Sequence, residues 1–152
     1  MSLDKLVGIS LEKVEPDSAS IARLLAAARR NIADATIMAV SSENRFDAAY
    51  KAIMQLANAS LQANGFRTLT SKPGHHMTMI QSLGQTLGLE NETVIILDTL
   101  RKQRNVADYS GDTVPESTAR DCLMHAENLL QNVSRWLKVD RPELLDRTEC
   151  GD

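Results

Sequence analysis

The chain has 152 residues, 43% of them hydrophobic, 24% charged and only 3% aromatic, with a formal net charge of −3. That length suits one domain, and the wealth of Ala and Leu argues for packed helices and against a strand-rich fold, while the mild charge advertises no global positive field for nucleic acid. Two cysteines, Cys122 and Cys150, are too few for a disulfide-built secreted scaffold, and no apolar run approaches the roughly 18 to 20 residues that span a bilayer. A cytoplasmic protein without a membrane segment is therefore expected.

Met1-Ser2-Leu3 reads as a leftover of recombinant expression, and residues 1–16 as a lead-in. The first helix is predicted over about 18 to 40. Asp17 or Ser18 caps it, and Ile21, Leu24, Leu25, Ala28, Ile32, Ala35 and Ala39 recur at helical spacing. A second helix starts near Ser41-Ser42-Glu43-Asn44, sets Phe46, Ala49, Tyr50, Ile53, Ala57 and Leu61 on one face, and stops at Asn64-Gly65. FRTLTSKP, residues 66–73, shows no sustained period and reads as a connecting loop. A shorter third helix follows from about His75 to Leu87, burying Met77, Ile80, Leu83 and Leu87, with Gly88 as its stop.

The fourth helix begins after Glu90-Asn91-Glu92. Its opening VIIL run could be a short strand, but continuation through Leu100 to Ala107 favours a helix. Thr113-Val114-Pro115-Glu116 fits a capping box, in which the Thr hydroxyl and the Glu carboxylate satisfy each other's backbone amides. The fifth helix then runs to about Leu137 through Leu123, Ala126, Leu130, Val133 and Leu137. The remainder, KVDRPELLDRTECGD, reads as a short turn and a frayed tail. The expectation is an all-α, up-and-down bundle of four main helices plus one shorter helix. It occupies residues 17–138, with a tail at 139–152.

The end of the fourth helix is unusually polar: RKQRNVADYSG, Arg101 to Gly111. At 3.6 residues per turn Leu97, Leu100, Arg104 and Ala107 share one stripe, with Arg101, Asn105 and Asp108 on the next. One reading is an ordinary Arg104–Asp108 ion pair, with Asn105 solvated and Tyr109 closing the bundle. The other is a site for phosphate or nucleotide, since guanidiniums grip phosphate oxygens, Asn bonds a base or ribose, and Tyr stacks or donates its hydroxyl.

This Arg-Asn pair late in a bundle helix, followed by Tyr109 and a turn into another helix, resembles the HEPN family, the nucleotide-binding domains named for higher eukaryotes and prokaryotes. RFDAAYKAIMQLANASLQANGFR resembles the family's Ala-rich helix with an early aromatic, GHHMTMIQSL its His-containing helix start, and TVPESTARDCLMHAENLL its last core helix. The match runs from about Asp17 to Leu137. It implies a bundle that commonly dimerises. In many members the paired sites act on RNA, often in a toxin partnered by a small nucleotidyltransferase. Those nucleases carry Arg, often followed by a polar residue, and a His four to six residues beyond the Arg. Arg104 and Asn105 match that beginning, and Tyr109 stands where the His is expected. A phenol of pKa about 10 is a poor general base, so the resemblance is to members without an evident nuclease site. It implies binding of RNA, a nucleotide or a partner protein through Arg101, Arg104, Asn105 and Tyr109.

The alternatives are a metal-independent endoribonuclease in which His75 or His76, at the start of the third helix, supplies the imidazole, and a purely structural dimerisation module. No cofactor is expected: the chain has neither a Gly-rich phosphate loop nor a nucleophile elbow. Cys122 and His125 have the spacing of half a zinc site but lack a second pair nearby, so no metal is expected. Arg23, Arg29 and Arg30 read as a solvated helix side partly paired with Asp34, and the methionines as core filler.

Overall fold

The computed structural model describes residues 3–71 and 74–145. Lys72-Pro73, the end of the tail with Cys150, and Met1-Ser2 lie outside them. After a 3-10 turn at Leu3–Leu6, the chain forms β1 (Leu11–Lys13), α1 (Ser18–Ala35), α2 (Ser42–Ala63), β2 (Phe66–Thr68), α3 (His75–Gln81), α4 (Leu83–Thr86), α5 (Asn91–Ser110) and α6 (Glu116–Asp140), then a 3-10 turn at Pro142–Leu144. The protein is an all-α bundle with one small two-stranded sheet. No helix among the described residues is long and apolar enough to cross a membrane.

α2 is the central element, touching α1, β2, α3, α4, α5 and α6. Its sequence explains why. Alanines at 49, 52, 57, 59 and 63 are all buried and let neighbouring backbones come close, while Phe46, Ile53, Leu56 and Leu61 fill the spaces between them. Ser41 caps its first turn by accepting from the Asn44 amide, and Asn64 with left-handed Gly65 ends it. Asp17 caps α1 in the same way, accepting from the Ala19 amide at 3.3 Å and the Ser20 hydroxyl at 2.8 Å.

Several boundaries depart from the sequence expectation. α1 ends at Ala35 rather than near residue 40, because the Thr36 hydroxyl donates to the Ala33 carbonyl at 2.6 Å and turns the chain back toward α2. Residues 66–73 are not simply a loop: Phe66–Thr68 pairs antiparallel with Leu11–Lys13 in the register Leu11–Thr68, Glu12–Arg67 and Lys13–Phe66. Three residues are too short to show a period of two, so neither strand was legible. The pairing sends Leu11 fully into the core and joins Arg67 to Glu12 in a cross-strand ion pair.

The third helix is interrupted at Ser82, whose hydroxyl donates to the Met79 carbonyl at 2.8 Å, and the chain continues as α4. Met77 is exposed and Met79 takes the inner place. No capping box closes α6. Pro115 is its N-cap, and the Glu116 carboxylate instead accepts from the Arg45 guanidinium at 2.5 Å, because the buried Arg45 side chain needs a counter-ion. α6 runs on to Asp140. Its inner stripe is Ala119, Cys122, Ala126, Leu129, Val133 and Leu137, with Leu123 and Leu130 only half-buried.

Candidate functional site

α5 packs more lightly than the other long helices: only Leu97 and Leu100 are buried along it. One turn beyond Leu100 on the same stripe comes Arg104, whose side chain is 34% exposed. It cannot enter the apolar core, so it lies at the core's rim. There its guanidinium carbon sits 5.3 Å from the centre of the Tyr50 ring, within cation–π range. Asp108 forms the expected i,i+4 ion pair with Arg104, Oδ2 to Nε at 3.5 Å, a distance too long for a good hydrogen bond, so the guanidinium is paired on one side and keeps its other N–H groups.

Tyr50 comes from the buried face of α2, and its hydroxyl reaches His76 Nδ1 at 3.3 Å. His76 occupies the first turn of α3, where the edge of the neighbouring His75 ring meets it at a centroid distance of 4.6 Å. Arg104, Tyr50 and His76 thus converge on one open groove of about 610 Å³, whose other wall carries Asn31, Asp47, Lys51 and Gln55.

Charge in the groove follows from burial. The Tyr50 phenol is pushed up to about 12 by desolvation, which outweighs the opposing pull of Arg104 and Arg101, so it stays a hydrogen-bond donor at neutral pH. His76 is held below the usual histidine range, first by burial and then by His75, Arg104 and Arg101. It is therefore a neutral imidazole at neutral pH. The Tyr50 hydroxyl and Nδ1 share a hydrogen bond whose direction follows the imidazole tautomer. Asp47 is raised above the ordinary carboxylate range by burial and by Asp108, with Arg104 opposing. The groove holds two cations, Arg104 and Lys51, with one imidazole, one phenol and one carboxylate easier to protonate than usual. It can hold an anion and accept or relay a proton.

Of the residues singled out in the sequence, Arg104 and His76 share this groove, with His75 beside it. Arg101 is engaged by Asp98, Nε to Oδ1 at 2.8 Å, and acts on Tyr50 and His76 only through its field. Asn105 and Tyr109 face outward from α5. Tyr109 is 94% exposed, so its ring does not close the bundle. Cys122 is buried against the Phe46 carbonyl, 3.8 Å away, and burial pushes its thiol up to about 12. His125 lines a separate, smaller groove with Leu97 and Asn128. Among the described residues no group of three or more His, Cys, Asp or Glu side chains is placed to hold a metal.

Tyr50, Asp47 and Lys51 were not legible as site residues. A signal exists nonetheless: Asp47, Lys51, Gln55, Asn58 and Gln62 recur at i, i+4, i+8, i+11 and i+15, a polar stripe on an otherwise buried helix.

No protein-family model matches the chain, and no curated protein matches it in sequence. What its fold and site define is therefore a class: a helical-bundle domain with an Arg–Tyr–His groove at the junction of α2, α3 and α5.

Proposed function

We propose that this protein is an HEPN-like domain that binds RNA or a nucleotide in the α2–α3–α5 groove, with Arg104 as the phosphate contact and Tyr50 and His76 as polar partners beside it. The observation that carries this reading is the Arg104 guanidinium, held over the Tyr50 ring at the mouth of an open groove and only loosely attended by Asp108. A guanidinium whose sole role was a surface ion pair would not need the aromatic face. An oriented one is ready to grip a phosphate through its remaining N–H groups. The outward-facing Asn105 and Tyr109 suit a contact with another chain, and the resemblance supports a homodimer.

The test is titration of a fluorescent nucleoside monophosphate into wild type and Arg104→Ala. Loss of a good phosphate contact is expected to weaken binding about tenfold or more, with the helical circular-dichroism signal unchanged. Equal affinity in the two proteins removes Arg104 from the site.

A second reading is favoured by His76. A neutral imidazole in the same groove as a guanidinium is what metal-independent RNA cleavage requires: a base for the ribose 2′-hydroxyl proton and a cation for the charge on phosphate. Cleavage of RNA in chelator that disappears in both Arg104→Ala and His76→Ala favours this enzyme. Binding without cleavage leaves the binding domain.

A further inference from the structure

Two more grooves open along the α1–α2 hairpin and join the Arg104 groove end to end. The middle one, about 420 Å³, shares Asn31, Lys51 and Gln55 with the Arg104 groove. Its other end shares Ala27 and Arg30 with a groove of about 570 Å³ that reaches Arg23, Gln62 and Arg67 beside the small sheet. The result is one channel between α1 and α2, running from β2 to His76.

Both walls are polar by helical periodicity. On α1, Arg23, Arg30 and Asp34 recur at i, i+7 and i+11, about 16 Å of helix. On α2 the facing stripe is Lys51, Gln55, Asn58 and Gln62. Arg30 and Lys51 are exposed and make no ion pair among the described residues. Arg23 rests on the Ser20 hydroxyl at 3.0 Å. Acids line the channel as well: Glu15 and Asp17 stand at the sheet end, where Asp17 caps α1, Asp34 in the middle groove and Asp47 in the Arg104 groove, so the cations alternate with carboxylates. Along the floor, Asn31 donates to Gln55 at 2.9 Å and Gln62 to Asn58 at 3.1 Å. Each amide keeps a second donor or acceptor edge, the kind of group that bonds base edges without demanding one sequence.

Spaced cations above a floor of amides fit a phosphodiester chain with exposed bases better than a single nucleotide, which would use the Arg104 end only. We infer that the α1–α2 channel is the track of a single-stranded oligoribonucleotide: Arg23, Arg30 and Lys51 hold successive backbone phosphates and lead the strand to Arg104. This rests on the reading of the Arg104 groove as a nucleotide site, and extends it to a ligand of several nucleotides.

The experiment compares uridine monophosphate, short and long oligouridylates and an RNA duplex on wild type, Arg104→Ala and the double variant Arg23→Gln/Arg30→Gln, with thermal melts as the folding control. Both arginines of the double variant are exposed, so it is expected to melt like wild type. Wild-type affinity is expected to rise with oligouridylate length. The double variant should lose on the order of tenfold for the long strand, with its salt slope shallower by roughly 1.4, and bind the monophosphate as wild type does. Arg104→Ala should weaken both ligands about tenfold or more. Affinity independent of length, a long strand indifferent to the double variant, or tighter binding of duplex each overturns the channel, while an Arg104-dependent monophosphate site would still stand. Failure of all these ligands to bind wild type overturns both readings.

Discussion

At the groove, His76 is kept neutral chiefly because the fold removes water from a ring that also faces His75 and two guanidiniums. The sign of the consequence is definite. The folded pKa lies below the unfolded value of 6.5, so the unfolded chain takes up the proton first as pH falls. The contribution of His76 to stability is full above that value and is lost as pH drops through the folded one. Melting temperature against pH should therefore decline below about pH 6.5 in wild type, and the decline should be shallower in His76→Gln. Coincident profiles would show that His76 is solvated and not part of the groove. The sequence placed a histidine pair at the start of a helix. It did not reveal that Tyr50, twenty-six residues earlier, is the partner, since that contact exists only once α2 and α3 pack.

Among the elements, the long helices were legible and the short pieces were not. α2 carries an apolar face, a Ser41 cap and an Asn64-Gly65 stop, each a local signal of known physical cause. β1 and β2 carry none, for their three-residue ladder is stabilised by what it covers: Leu11, with no exposed surface, seals one end of the core. Leu11→Ala is expected to cost about 3 kcal/mol, the usual penalty for emptying a fully buried leucine site, read from chemical denaturation. A cost under about 1 kcal/mol would mean that the lead-in is an ornament on the bundle rather than part of its core. The break at Ser82 and the Glu116–Arg45 pair teach the same lesson. A hydroxyl or carboxylate chooses among several backbone and side-chain partners, and local spacing names only the nearest.

For the whole molecule, α5 presents Ile95, Val106 and Tyr109 to solvent at 56%, 65% and 94% exposure, a stripe opposite the one that packs inward. Lys102 stands among them on that face, and the homodimer proposed above would cover these side chains. Sedimentation equilibrium should show a dimer that Val106→Glu weakens about tenfold or more, as a buried charge at an interface would. A wild type that is monomeric throughout removes the dimer and leaves the groove untouched. By itself the sequence determined the long helices, the Asp17 and Ser41 caps, the Asn64-Gly65 stop and the all-α class, because those depend on neighbours three and four residues apart. Only the tertiary structure decided that Arg104 meets Tyr50 and His76, that Asn105 and Tyr109 face away, and that the polar stripes of α1 and α2 become two walls of one channel. Those contacts join residues far apart in the chain, and their geometry follows from how the helices pack, which no local periodicity encodes.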